Sequence, residues 1–186
     1  LLLFVPAIIG FAITWHDKTL AAQVLPEFID IIPQIVERHH TPKDWLPAFE
    51  RVPAFSLIMT NNIRISILAF AGGMTLGIVT VPLLVTNGVM VGIVAAGVGL
   101  DGARTAVNCW GFLAPHGVIE LSAIYISGGA GLVLAYALLV PGVYPRRVAL
   151  VRAGKDALVL ILGVAMLLGI AAIVEAFFSP LNIKEF

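Results

Sequence analysis

Charge is what this sequence has least of. Only 12% of its 186 residues are Asp, Glu, Lys or Arg, against about 25% in ordinary soluble domains. The 36 residues from Ile65 to Leu100 carry no ionisable side chain at all. Eleven basic residues balance eleven acidic ones, which excludes a general electrostatic attraction to nucleic acid. A single cysteine, Cys109, excludes an internal disulfide and a cysteine-rich metal centre. Nucleotide and acyl-transfer motifs are missing too: there is no G-x-x-x-x-G-K-[ST] and no G-x-S-x-G, and Cys109 has no evident neighbouring base. Gly97-Val-Gly-Leu-Asp-Gly102 has the spacing of a dinucleotide fingerprint, but no strand-turn-helix context surrounds it. His116 with Ser122 or Ser127 is a weak hydrolase candidate, since a serine in a membrane helix usually bonds back to its own backbone. Neither enzymatic chemistry nor a cofactor is expected.

What is present is apolar surface. Hydrophobic residues make up 60% of the chain and the mean hydropathy is +1.02, so the bilayer is its solvent. One crossing of a hydrocarbon core about 30 Å thick needs roughly 20 apolar residues. The uncharged run from Ile65 to Leu100 is therefore too long for one span and short for two, and something inside it must break or shorten a helix.

Read along the chain, an all-α, polytopic bundle of about five spans emerges as one membrane domain over 1–186. Leu1 to Trp15 is the first span, closed by Trp15 and His16 at an interface. It lacks the basic region and cleavage site of a signal peptide, and further chain is expected ahead of Leu1. Residues 17–61 hold six acidic and four basic residues and several prolines. Val24, Leu25, Phe28, Ile31, Ile32 and Ile35, and again Trp45, Phe49 and Val52, recur at helical spacing there, which predicts short amphipathic helices at the membrane surface. Pro42 and Pro47 keep them short, and His39-His40 reads as a solvated turn.

The core bundle is expected over 62–178. Its second span runs from Asn61-Asn62 to about Val81, with Pro82 marking an end or a kink. Thr86-Asn87-Gly88 is a turn signal, which leaves a short third helix from Asn87 to Leu100. Asp101 to Pro115, with Arg104, Asn108 and Trp110, sits at the interface or folds partly into the membrane as irregular backbone that protein or water must cover. Leu121 to Val140 and Ala157 to Val174 are the last two spans. Between them Arg146, Arg147, Arg152 and Lys155 are opposed by Asp156 alone. The positive-inside rule places that loop in the cytoplasm, and His116, residues 17–61 and the C-terminus outside. The outside loop carries four basic residues of its own.

Two features of the bundle invite a functional reading. Gly73-Met-Thr-Leu-Gly77, Gly88-Val-Met-Val-Gly92 and the Gly128, Gly129, Gly131 cluster are small-residue faces that let helices approach closely. The contact is expected within the chain, with a homo-oligomer as the alternative. The second feature is Pro115-His116-Gly-Val-Ile-Glu120, which puts two ionisable groups on one helix face. A carboxylate that deep needs a partner, and His116, Arg64, Arg104, Asn61 and Asn62 are candidates. Glu175 is a further acid in apolar sequence. Three readings stay open: a hydrogen-bonded clamp between helices, a proton or ion path, and a metal site, for which no motif supplies a third ligand.

Taken together, Asn61-Asn62-Ile-Arg64 leading to Ala69-Phe70-Ala71-Gly72-Gly73, then Thr86-Asn87-Gly88, Pro115-His116-Gly117-Val-Ile-Glu120-Leu-Ser-Ala, Ser127-Gly128-Gly129-Ala-Gly131 and Ile173-Val-Glu175-Ala-Phe-Phe-Ser179-Pro180 resemble the stage II sporulation protein M family of integral membrane proteins. The resemblance spans the chain from Thr60 onward. It implies a five-span membrane domain, a cytoplasmic helical region upstream, and a role as scaffold or complex subunit in cell-envelope remodelling, with other membrane or envelope proteins as partners. It also marks Asn62, Arg64, Asn87, His116, Glu120 and Glu175 as a polar core, with no catalytic residue among them. A transporter or channel subunit using the His116 and Glu120 face is the alternative from the residues themselves.

Overall fold

The computed structural model describes residues 1–26, 32–33, 36 and 48–178, and every described element is helical. In chain order these are α1 (Phe4–His16), α2 (Lys18–Val24), α3 (Ala48–Ala71), a 3-10 turn (Gly72–Thr75), α4 (Thr80–Asp101), α5 (Ala103–Leu139) and α6 (Arg146–Phe178). Three of them are long and apolar enough to cross a membrane: α4, the Gly117–Leu139 part of α5 and the Arg146–Ile173 part of α6. α1 is a shorter apolar helix.

The break required by the long uncharged run exists, but not at Thr86-Asn87-Gly88. Those residues lie inside α4, whose 22 residues make it long and apolar enough to cross a membrane rather than a short helix. The chain instead reverses between Ala71 and Thr80. Leu76 takes a left-handed conformation (φ 58°) and Gly77 follows at φ 85°, where the missing Cβ removes the usual steric cost. Thr75 Oγ1 donates to the Gly72 carbonyl at 2.6 Å and accepts from the Val79 N–H at 3.2 Å. Thr80 Oγ1 then donates back to the Ala69 carbonyl at 2.8 Å. Backbone and side-chain groups at the reversal thus find partners inside the protein.

Three further expectations change. α3 starts at Ala48 and ends at Ala71, so the second span does not run to Val81, and Pro82 sits in the first turn of α4, where its missing N–H costs nothing. Asp101 to Pro115 is helical rather than irregular: Gly102 alone (φ 138°) separates α4 from the 37-residue α5, and Pro115 lies within that helix, as membrane helices tolerate. The basic stretch from Arg146 to Lys155 is no loop either. It forms the first turns of α6. His39-His40, Phe28, Ile31, Ile35 and Trp45 lie outside the described residues.

The chain divides into two compact units, Leu1–Pro47 with Val85–Ala114 and Ala48–Leu84 with Pro115–Phe186. In the first, Ala21, Ile32 and Ile93 are buried against Ile13, Leu25, Val36 and Val89. Asp17 separates α1 from α2 and serves both: its N–H closes α1 on the Ile13 carbonyl, and its carboxylate accepts from the N–H and hydroxyl of Thr19 at 2.8 and 2.6 Å. Those bonds to Thr19 hold the Asp17 carboxyl below its ordinary range. α4 lies along α1 with almost no side chain between them. A Cβ on Gly92 would overlap the Ala7 carbonyl, and one on Gly88 would come within 2.8 Å of the Leu3 carbonyl. With Gly99 facing Trp15, the register climbs in the same direction on both helices.

In the second unit Ala130, Leu134, Ala137, Ala153 and Ala157 pack with Phe70, Ala149, Leu150 and Ile161, which joins α3, α5 and α6. Ala123, Val164 and Leu168 form a second contact between α5 and α6. Gly73 touches the backbone of Gly131, and Gly131 in turn touches the Ala69 and Phe70 carbonyls. Lipid supplies no hydrophobic drive between helices, so such close van der Waals contacts and interhelical hydrogen bonds hold the unit together.

Candidate functional site

The polar side chains of the second unit meet along the contact of α3 with α5. Asn62 and Ser66 are one turn apart on α3, and Glu120 and Ser127 two turns apart on α5, so each pair shares a helix face. Glu120 is 7% exposed, and its carboxyl is hydrogen-bonded by the Asn62 side chain. Further along, Ser127 Oγ donates to the Ser66 carbonyl, and beyond it Gly131 meets Ala69 and Phe70. Successive contacts advance in the same sense on both helices, so α3 and α5 are parallel. Tyr125 adds a tie to a third helix, donating to the Leu84 carbonyl at 2.7 Å, while Leu84 packs against Gly128.

This seam is nearly closed. Of the buried side-chain polar atoms among the described residues, only Ser66 Oγ lacks a hydrogen-bond partner. An amide that donates to a carboxylate keeps its own carbonyl oxygen free to accept, so Asn62 retains acceptor capacity beside Glu120. The arrangement positions helices, and Ser122, the other serine considered for hydrolysis, bonds back to the Val118 carbonyl at 2.7 Å. Among the described residues, no three His, Cys, Asp or Glu side chains converge to hold a metal ion.

Of the residues singled out from the sequence, the structure brings Asn62 and Glu120 together. Arg64 lies exposed on α3. Asn87, 8% exposed and partnered, belongs to the first unit. The side chains of His116 and Glu175 lie outside the described residues. Gly73, Gly88, Gly92 and Gly128 sit at close contacts, Gly77 makes the turn after α3, and Gly129 faces open space. Sequence reasoning passed over Ser66, and read Ser127 only as a weak nucleophile. The signal was their spacing, four residues after Asn62 and seven after Glu120.

A family model described as Stage II sporulation protein M matches residues 1–180. An uncharacterized protein of Methanocaldococcus jannaschii is 32% identical over 127 residues, which cover 68% of this chain and 71% of that one. No solved structure matches.

Proposed function

From the premise that the chain belongs to the stage II sporulation protein M family, we propose that this membrane protein is a scaffold or complex subunit in envelope remodelling, with five crossings and the α6 N-terminus in the cytoplasm. The observation that carries the reading is the Glu120 carboxyl, buried between α3 and α5 and held by Asn62. A carboxyl spent on an interhelical bond fixes a shape, and a fixed shape is what a docking platform needs. The crossings are α1, α3, α4, the second part of α5 and α6. Two parallel contacts, α1 with α4 and α3 with α5, support this count, because parallel neighbours in a bundle must be separated by an odd number of intervening crossings. α1 and α4 have α3 between them, and α3 and α5 have α4.

Partners would meet the residues ahead of α3, 17–47, outside, together with the C-terminal tail, and the protein would act without catalysis. Photo-cross-linking from positions in 17–47, in cells, tests this: recovery of defined envelope proteins is expected, and a surface that cross-links to lipid alone would count against it. A flux assay in liposomes separates the transport alternative. Solute movement by the parent that Glu120→Gln abolishes would replace the scaffold reading with transport.

A further inference from the structure

We propose that the first three turns of α6 form a binding site for the phosphate headgroup of an anionic lipid in the cytoplasmic leaflet. α6 is one uninterrupted helix from Arg146 through the apolar segment, so its cations are fixed at a set height above the hydrocarbon. One face is committed to the protein: Ala153 and Ala157 are buried, with Ala149 and Leu150 packed beside them. At 100° per residue, Val148, Val151, Arg152, Lys155 and Val159 fall on the opposite face, and all five are exposed.

This outward stripe is amphipathic along its length rather than around it. Val148 and Val151 flank the two cations on one side and Val159, 69% exposed, on the other, with Leu158 and Leu162 adjoining. Acyl chains lie against Leu158, Val159 and Leu162 on the membrane side of the cations, and the Lys and Arg stems lie along the helix while their heads reach the headgroup layer. Arg152 is held ready for this. Its guanidinium carbon sits 4.1 Å from the centroid of the Tyr144 ring, back toward the turn that precedes α6. Stacking on the ring engages the guanidinium face and leaves its edge donors free for the paired oxygens of a phosphate. Arg146 and Arg147, both exposed, add charge at the same end, and Asp156 is the one acid in the stretch. A free phosphate would find the cations but make no use of the exposed Leu158, Val159 and Leu162 beyond them. A lipid meets both.

The test is native mass spectrometry of the purified protein from mixed micelles holding equal phosphatidylglycerol and phosphatidylcholine. The parent is expected to retain phosphatidylglycerol preferentially. Each cation near an anionic surface contributes roughly fivefold, so Arg152→Gln with Lys155→Gln should weaken that preference about 25-fold. The charge-preserving exchange Arg152→Lys with Lys155→Arg, which controls for folding, should keep most of it. Equal retention of the two lipids by the parent, an unchanged preference in the double Gln variant, or displacement of the lipid by millimolar inorganic phosphate would overturn the assignment.

Discussion

Replacing Asn62 by Leu leaves the shape of the α3 and α5 contact nearly intact and removes the amide that bonds Glu120. With Glu120 only 7% exposed, water replaces that amide poorly, and an unsatisfied buried polar group costs about 1–3 kcal/mol. Interhelical hydrogen bonds in membranes run lower, about 0.6 kcal/mol on average and at most about 1.7, because the unfolded chain in lipid also finds partners. A loss of about 1 kcal/mol is therefore expected for Asn62→Leu, and a similar one for Glu120→Leu, which strands the amide instead. The double variant removes both polar groups and should be less damaging than the sum. Steric trapping in bicelles measures all three against the parent. A coupling of about 0.5–1.5 kcal/mol is predicted, and strict additivity within about 0.3 kcal/mol would refute the pair as a bonded unit.

Other consequences follow from the same geometry. Gly92→Ala should destabilise the first unit by about 1–3 kcal/mol, because its Cβ meets the Ala7 backbone, whereas Gly129→Ala, which faces open space, should be nearly neutral in the same assay. Gly77→Ala places a Cβ at φ 85° and should cost about 1 kcal/mol. Asp17 titrates below its ordinary value because Thr19 donates to it. The stabilisation it gives the α2 cap is therefore complete above the unfolded carboxylate range and is lost as pH falls through the lowered folded value. Carboxyl carbon NMR should show that midpoint move back up in Thr19→Ala.

The membrane class was legible because lipid tolerates few charges, and their absence over Ile65 to Leu100 speaks for itself. That the run must contain a break was also legible from its length. Where it breaks was not, because glycine carries two meanings: at Gly77 it permits a left-handed turn, and at Gly88 it admits the backbone of α1. Asn87-Gly88 has the chemistry of a turn in water, yet its neighbours in space make it a packing face. Prolines misled in the same way, since Pro82 begins a helix and Pro115 lies within one. Glu120 was legible as a buried acid in need of a partner, and Asn62 was among the candidates. The role of Ser127 was hidden because a helical serine ordinarily satisfies itself, as Ser122 does. Only a neighbouring helix at close range lets Ser127 reach the Ser66 carbonyl instead.

Solid-state NMR on bilayer-reconstituted protein reads the central contact directly, through the dipolar coupling between a carbon-13 label at the Glu120 carboxyl and a nitrogen-15 label in the Asn62 side chain. A coupling that corresponds to hydrogen-bond contact is predicted. A spectrum with no coupling between the two labels would contradict the account.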